Sequence, residues 1–431
     1  MHAPSPTALI GDHAGVYRKI SWRILPLLML CYLFAYLDRV NISFAKLQMQ
    51  ADIGLGDAAF GLGAGIFFLG YMVFEIPSNL LLPRIGARKT LSRIMVLWGL
   101  TSAAMMFTRD VTMFYVLRFL LGVFEAGFAP GMVYYLTLWY PQARLARVMA
   151  IVMAAAPISG IVGAPLSTWL MTSLAGAHGL AGWQWMFLIE GVPCALLGIV
   201  VYCCLADNVA SAKWLDASEK AMVSAELGSR RGKHHGFRQV SADPRIYVMA
   251  LGYFCVICGI YAISFWLPTI LKASGVADLM TLGFYSAVPY LVAVVAMYVV
   301  ARRSDARGER RWHSAIPALL GAVALAVSAL SIGNLYVSLI SITLATALIW
   351  TAYTVFWAMP SEYLKGEAAA GGIALINSIG LIGGFLSPTL IGWVKGATGS
   401  LSLSLAPMVV LLVCGAAALL ANKPGRAAAT V

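Results

Sequence analysis

Long apolar stretches alternate with short polar ones along the whole chain, and this pattern predicts membrane-spanning helices. About 20 consecutive apolar residues form a helix that crosses the roughly 30 Å hydrocarbon core of a bilayer. Backbone polar groups in lipid must be satisfied within the segment, so each stretch is expected to be α-helical. Dividing the chain at charges and at Gly or Pro breaks predicts twelve spans, near 22–46, 58–82, 91–108, 111–138, 147–172, 183–206, 246–271, 279–301, 312–332, 335–360, 369–394 and 402–421.

Two uncharged runs, 148–189 and 312–361, are too long for one span, and each predicts a helical hairpin. Glycines at 176, 179 and 182 favour the first turn, and Gly333-Asn334 favours the second.

The composition agrees with a polytopic membrane protein, since 61% of the residues are hydrophobic and 11% are charged. The net charge of +12 reflects topology rather than nucleic-acid binding. With both termini in the cytoplasm, all but six of the 30 Lys and Arg residues fall on cytoplasmic segments, as the positive-inside rule requires. The six exceptions are Lys46, Arg109, Lys272 and Lys395 outside and Arg39 and Arg118 within the membrane. We therefore expect an integral protein of a bacterial inner membrane that contacts anionic lipid.

A polar stretch, 207–245, divides the chain into two sets of six spans. It predicts an N-terminal six-helix bundle over 1–206, a cytoplasmic linker, and a C-terminal six-helix bundle over 246–431. Residues 216–227 are typical of an amphipathic helix at the membrane surface. Residues 228–233 resemble a phosphate-binding loop, but the spacing is one residue short and no Ser or Thr follows. ATP is therefore not expected as an energy source.

The loops after the second and eighth spans repeat one another. Gly86 and Gly308 lie 222 residues apart, and two basic residues follow at matching positions, among them Arg88 and Arg310. Glycine permits the tight turn, and the basic residues anchor it on the cytoplasmic side. Such a duplication is typical of transporters whose halves rock around a site at mid-membrane.

Four ionisable residues, Asp38, Arg39, Arg118 and Glu125, lie inside otherwise apolar spans. A charged residue at the centre of a membrane helix costs about 2.5–3.5 kcal/mol, so such residues face a bundle interior or a cavity. Arg118 and Glu125 are seven residues apart, on one helix face and about 10 Å apart along the axis. Counting residues from the span ends predicts that Arg118 pairs with Asp38, that Glu125 lies deeper and that Arg39 points into the cavity.

These four residues suggest two roles. The planar guanidinium of Arg39 matches a carboxylate with two hydrogen bonds, so Arg39 is the first candidate for binding an anion. No histidine lies inside a span, which leaves Asp38 and Glu125 as the candidate proton carriers. A permanent stabilising network of the four charges is the alternative. Glu75 and Glu190 are weaker candidates, expected to be satisfied by backbone amides or interfacial water.

The last six spans carry essentially no charge and can offer neutral hydrogen bonds and aromatic walls. Thr354 and Asn377 are polar and mid-span, which makes them the better candidates. Tyr261 and several other aromatic residues are further candidates, although most aromatic residues near span ends are expected to be structural. Cys255 and Cys258 have redox-motif spacing, but on a membrane helix we interpret them as small packing residues.

The loop pair, the two sets of six spans and the long central loop are similar to those of the major facilitator superfamily. Several motifs resemble its anion:cation symporter family, in the tartrate/phthalate-type branch. These motifs are Tyr36-Leu37-Asp38-Arg39-Val40-Asn41, Phe74-Glu75-Ile76-Pro77-Ser78-Asn79, Arg118 with Glu125, and Phe265-Trp266-Leu267-Pro268-Thr269. The resemblance implies an all-α fold of twelve transmembrane helices in two pseudo-symmetric bundles.

The resemblance also implies roles for individual residues. Asp38 and Glu125 would couple to protons, and Arg39 and Arg118 would contact the anion. Further substrate contacts would come from Tyr36, Tyr71, Thr354 and Asn377. Gating would involve the loop residues Gly86, Arg88, Asp305, Gly308 and Arg310. Pro83 stands where the superfamily pattern has an acid, so a gating salt bridge in the first loop must be absent or supplied elsewhere.

The expected function is secondary active import of a small organic anion by proton symport with alternating access. A hydroxy-dicarboxylate, a sugar acid or an aromatic carboxylate would each suit the site. The alternative is an anion exchanger or uniporter without proton coupling; a nutrient sensor or an enzyme is less expected. No cofactor besides the coupling proton and no partner besides substrate and lipid is expected, and the protein should be a monomer.

Overall fold

A computed structural model describes residues 6–228, 243–364 and 367–422. Within these ranges, twelve helical segments are long and apolar enough to cross a membrane, and each overlaps one predicted span. The all-α prediction is therefore confirmed. Residues 229–242 of the linker lie outside the described residues. They include all but the first residue of the stretch that resembles a phosphate-binding loop, 228–233.

Three of the spans consist of two consecutive helices. The first six spans are Pro6–Asp52, Asp57–Ile85, Ala87–Ala104, Val111–Glu125 with Phe128–Thr137, Gln142–Met153 with Ala155–Ser173, and Gly182–Cys204. The last six are Pro244–Ala273, Leu279–Arg307, Arg311–Leu330, Leu335–Phe356 with Ala358–Tyr363, Glu367–Thr398, and Leu401–Ala421.

The fourth span is interrupted immediately after Glu125, close to Pro130, where the sequence indicates a bend. Pro130 has no N–H for the carbonyl of Ala126, and its ring is incompatible with an uninterrupted helix. Gly127 adopts a left-handed conformation with φ of 86° and restarts the helix at Phe128. The break also changes the direction of the chain next to an ionisable side chain.

The first span begins, and the twelfth ends, at the same end of the bundle, which we call the terminal end. The loops after the second and eighth spans lie there too, and their matching glycines both have positive φ, 98° at Gly86 and 61° at Gly308. The opposite end, which carries residues 52–57, 273–279 and 398–401, is called the distal end. The positive φ at both glycines agrees with an internal repeat, although ψ differs, 148° at Gly86 and 24° at Gly308.

The two sets of six spans meet along seams lined by small residues. In the second span, a Cβ on Gly61 would collide with the carbonyl oxygen of Pro388 in the eleventh. In the eighth span, a Cβ on Gly283 would collide with Thr168 in the fifth. Glycine lets the helix backbones come this close, which is how membrane helices pack without a hydrophobic driving force.

An ion cluster closes the distal end. Asp57 accepts from Lys46 at 2.7 Å and from Lys395 of the eleventh span at 2.8 Å. The Lys46 ammonium lies 3.7 Å from the centre of the Trp266 ring and is 0% exposed. Lys46, counted in the sequence analysis among the charges of the outer side, is therefore buried in the protein at the distal end. A buried lysine is tolerable because a carboxylate and an aromatic face replace its water.

The amphipathic helix of the linker, Ala217–Gly228, contacts the start of the first span at the terminal end. Lys19 bonds Glu219 at 2.8 Å, and Tyr17 and His13 each bond Glu226 at 2.7 Å. Partial burial tends to raise the pKa of Glu226, but these hydrogen bonds outweigh it and hold the pKa below its usual value. The contact therefore adds stability at neutral pH that is lost as the pH falls through the lowered pKa.

We expect Asp57→Asn to lower the free energy of unfolding by about 3 kcal/mol, because it leaves the buried Lys46 without a counter-charge. Lys46→Met should change it by less than about 1 kcal/mol, since the apolar side chain can still pack on Trp266. The measurement is SDS-induced unfolding of the protein in detergent micelles. Lys272→Met is the control, because Lys272 is an exposed distal residue. Equal effects of Asp57→Asn and Lys272→Met would contradict this account of the cluster.

Candidate functional site

The guanidinium of Arg39 lies between the two sets of six spans. Its Nη2 forms a short salt bridge with Glu125 of the fourth span, and its Nη1 donates to the Tyr261 hydroxyl of the seventh span at 3.1 Å. Arg39 is 8% exposed and Glu125 is 1% exposed. The charges therefore neutralise each other in a place where neither could be solvated by bulk water.

Three aromatic rings surround the same guanidinium. The Arg39 Cζ lies 5.1 Å from the ring centre of Tyr36, 5.4 Å from that of Phe67 and 5.5 Å from that of Tyr71. Cations are attracted to aromatic faces at these distances. The structure thus brings Tyr36 and Tyr71 to the predicted site. Tyr36 reaches it because it is three residues before Arg39 on the helix, although it does not share a face with Asp38.

The predicted pairing of Arg118 with Asp38 is wrong. The Arg118 Nε donates to the carbonyl oxygen of Gly63 at 3.3 Å, and its Cζ lies 5.0 Å from the Phe67 ring centre. Both guanidiniums thus lie near the Phe67 ring. Counting residues from the span ends predicts the depth of a side chain in the membrane to about one helical turn. It does not predict which neighbouring helix the side chain faces, and the pairing depends on that.

Asp38 instead belongs to a neutral hydrogen-bond network. Its Oδ1 accepts from Ser102 at 2.9 Å and from Asn41 at 3.3 Å. The Asn41 amide also donates to Glu190 at 2.8 Å, and Ser167 donates to Glu190 at 2.7 Å. The expectation that backbone amides or interfacial water satisfy Glu190 was wrong, because side chains of the first and fifth spans bind it in the protein interior.

The last six spans present neutral groups. Thr354 is half-buried and donates to the carbonyl oxygen of Trp350 at 2.9 Å, and Asn377 is half-buried and accepts from Tyr253 at 3.4 Å. Neither is shown in contact with Arg39. Tyr261, one of the aromatic candidates of the sequence analysis, is the second-half side chain that contacts Arg39. The sequence could not single it out from the other aromatic candidates, because that requires knowledge of the packing.

Several buried polar atoms at the site have no hydrogen-bond partner among the described residues. They are Nε of Arg39, Oε2 of Glu125 and Nη2 of Arg118. Arginine can donate five hydrogen bonds and a carboxylate can accept about four. The site therefore keeps donors suited to an anion and an acceptor that can take up a proton.

The two matching loops at the terminal end are held by different acids. In the first loop, the backbone N–H of Arg88 donates to Asp207 at 2.9 Å, and the Arg88 Nε lies 3.8 Å from the same carboxylate. Asp207 follows the sixth span and provides the acid that Pro83 does not. In the second loop, Arg310 pairs with Asp305 and, at 2.9 Å, with Glu362. Each basic residue thereby ties its loop to a later segment of its own half.

Hydrogen bonds between the halves lie at the site and towards the distal end. Besides Arg39 with Tyr261, they join Lys395 to Asp57 at 2.8 Å and Lys46 to Thr269 at 3.4 Å. Between the site and the distal cluster, Phe68 and Phe265 are buried. The distal side of the site is therefore closed by packed aromatics and an ion cluster.

Known proteins resemble this chain over nearly its whole length. The sequence pattern of the Major Facilitator Superfamily matches residues 28–388. A protein of Agrobacterium vitis named "Putative tartrate transporter" is 47% identical over 405 residues, covering 93% of each chain. "Putative metabolite transport protein NicT" of Pseudomonas putida is 44% identical over 395 residues, covering 90% of each. A crystal structure of a D-xylose-proton symporter is similar in fold, with a TM-score of 0.75 at 16% identity, covering 94% of this chain and 98% of the other.

A pair of double-mutant cycles tests which charges are partners. We expect Glu125→Gln and Arg39→Gln to be coupled by about 0.5–3 kcal/mol in the free energy of unfolding, because each single change leaves a buried charge unpaired. The matched cycle of Asp38→Asn and Arg118→Gln should be nearer to additive. Both cycles can be measured by SDS-induced unfolding in detergent. A larger coupling energy in the second cycle than in the first would indicate that Asp38 and Arg118 are the partners, and it would contradict this structure.

Proposed function

This chain belongs to the Major Facilitator Superfamily, and from that premise we propose that it imports a small organic anion together with protons. A transport role, without enzymatic chemistry, follows from the family and from the named relatives. The observation that carries the finer proposal is the buried pair of Arg39 and Glu125 between the halves. In such a pair, binding of an anion to Arg39 and binding of a proton to Glu125 depend on each other.

The substrate class follows from the chemistry of Arg39. A guanidinium with an unused Nε can offer a carboxylate two parallel hydrogen bonds. Tyr36, Tyr71 and Tyr261 add hydroxyls and aromatic faces, and Thr354 and Asn377 are proposed to hold substrate hydroxyls. A hydroxy-dicarboxylate is favoured because a relative with 47% identity is named for tartrate. A sugar acid or an aromatic carboxylate fits the same groups.

Proton coupling follows from competition for one guanidinium. When Glu125 is ionised, it occupies Arg39, as in the present arrangement. When Glu125 takes up a proton, it loses the charge that held Arg39, and the substrate carboxylate replaces it. Release of the proton reverses the exchange and displaces the anion. This mechanism assigns the switch to Arg39 and Glu125, with Arg118 nearby as a second cation and Asp38 as a further proton-binding residue.

The direction of transport depends on which end faces the cytoplasm. Basic residues concentrate at the terminal end, which the positive-inside rule assigns to the cytoplasm. The ion cluster of Lys46, Asp57 and Lys395 then closes the outer side. In this arrangement, an anion displaced from Arg39 leaves towards the cytoplasm, while the loops fixed by Arg88 and Arg310 keep their halves rigid during rocking.

The alternative is anion exchange or uniport, in which Glu125 remains ionised and the incoming anion displaces it without a proton. In purified protein reconstituted into liposomes, Glu125→Gln should retain exchange of labelled for unlabelled anion. It should also lose accumulation driven by a pH gradient, because the glutamine cannot bind and release the coupling proton. Asp278→Asn, at an exposed helix cap that asparagine can also fill, is the control and should retain both activities. If Glu125→Gln still accumulates anion, Glu125 is not the coupling residue.

Binding can be tested separately from coupling. Tartrate at 100 times its Kd should stabilise the purified protein by about 2.7 kcal/mol, measured as a thermal shift. Arg39→Lys keeps the charge but removes the planar fork, so its affinity should fall at least about tenfold. Arg93→Lys, at an exposed arginine, should bind like the wild type. A wild-type protein stabilised by cations or neutral compounds, and by no carboxylate, would contradict the proposed substrate class.

A further inference from the structure

Glu190 of the sixth span is a buried acid that the mechanism above does not use. It is 1% exposed, and both of its oxygens accept from neutral side chains. Ser167 of the fifth span donates to Oε1 at 2.7 Å, and Asn41 of the first span donates to Oε2 at 2.8 Å. These donors fix the orientation of the carboxyl group without supplying charge.

The Asn41 amide also connects Glu190 to Asp38. The same nitrogen lies 3.3 Å from Asp38 Oδ1, so one amide group stands between two carboxyl groups. Two further buried oxygens, Oδ1 of Asn41 and Oδ2 of Asp38, have no hydrogen-bond partner among the described residues. An amide is both donor and acceptor, and its two ends can exchange places. In the present orientation its nitrogen donates to both carboxyl groups, and in the exchanged orientation its oxygen could accept from whichever of them carries a proton.

The surroundings of the pair contain little positive charge. Neither carboxyl forms an ion pair with a Lys or Arg in the described part of the chain. The groups that face the pair are Ser102 and Trp98 from the third span, Ser167 from the fifth, and Arg118 and Glu125 from the fourth, which interact electrostatically with Asp38. For Glu190, only the neutral Ser167 and Asn41 are recorded as bonding partners.

The energetics of this environment disfavour two negative charges. Removing a carboxylate from water costs several kcal/mol even after relaxation, and here no cation bonds to either group to offset it. A second carboxylate nearby adds like-charge repulsion. Arg118 interacts electrostatically with Asp38, but Glu190 and Glu125 act on Asp38 with the opposite sign. The pair therefore holds at least one proton.

We propose that Glu190 is a proton-binding residue of this transporter in addition to Glu125 and Asp38, linked to Asp38 through Asn41 so that Glu190 and Asp38 share one proton. The inference rests on the proposed proton symport. The proton forms one O–H bond with a carboxylate oxygen on binding and returns to water on release, and no other bond changes. It is separate from the proton on Glu125, whose partner is Arg39.

An infrared spectrum of the purified protein tests the protonation itself, without transport. At neutral pH, the wild type should show the C=O stretch of a buried protonated carboxyl, and Glu190→Gln should lose it. Glutamine can still accept from Asn41 and can bond Ser167, so the variant should fold, which its unfolding midpoint checks. Ser167→Ala should keep the band but shift its frequency, because it removes one hydrogen bond. A spectrum unchanged by Glu190→Gln would overturn the proposal.

The coupling role is tested by proton stoichiometry, obtained from the reversal of anion flux in liposomes under opposed anion and pH gradients. We expect Glu190→Gln to transport one proton fewer per anion than the wild type. If the wild type transports no protons, the proposed symport fails, and the infrared result alone decides whether Glu190 binds a proton. If the wild type is coupled and Glu190→Gln has the same stoichiometry and pH profile, symport stands and Glu190 has no part in it.

Discussion

The salt bridge between Arg39 and Glu125 is the interaction on which the rest of the proposed mechanism depends. Each charge alone would be expensive in the middle of a membrane, and each is buried where bulk water cannot solvate it. Their mutual neutralisation makes the present arrangement stable. The same fact makes it switchable, because anything that removes one charge or offers a competing one leaves the other in need of a partner. Because an unpaired buried charge is costly, the anion on Arg39 and the proton on Glu125 are expected to bind together.

Charge is distributed unequally between the halves, and this sets what each can contribute. The mid-membrane acids and arginines lie on the first, fourth and sixth spans, whereas the last six spans carry neutral groups at that depth. Protonation is therefore a property of the first half. The distal cluster is different, because Asp57 of the first half holds Lys395 of the second. That contact must break whenever the distal side opens, and Lys46 then remains as the partner that keeps Asp57 from being buried alone.

Apolar patterning was enough to predict all twelve spans, since a membrane helix needs a length and composition that the sequence displays directly. The matching loops with Gly86 and Gly308 were also evident, because a positive φ favours glycine at both positions. Side-chain pairing was not predictable in this way. Glu125 contacts Arg39 because of two features of the packing: the helix break at Gly127, and the direction in which the first span points its side chains. Asp207 was missed, and Tyr261 could not be paired with Arg39, for the same reason: the partners are more than a hundred residues apart in sequence.

Tyr261 offers a physical route by which the second half can respond to events in the first. Its hydroxyl accepts from Arg39 at 3.1 Å, across the boundary between the halves. A hydroxyl can also donate, so when an anion takes the place of Glu125 on Arg39, Tyr261 can turn its hydrogen towards the anion. The anion would then be bound by a cation of one half and a donor of the other, which favours closure around it. With Arg39 returned to Glu125, the second half keeps one hydrogen bond at the site, donated by the charged guanidinium, and such a bond contributes about 1.5–3 kcal/mol. Because the anion no longer joins the two halves, they separate more readily on the terminal side.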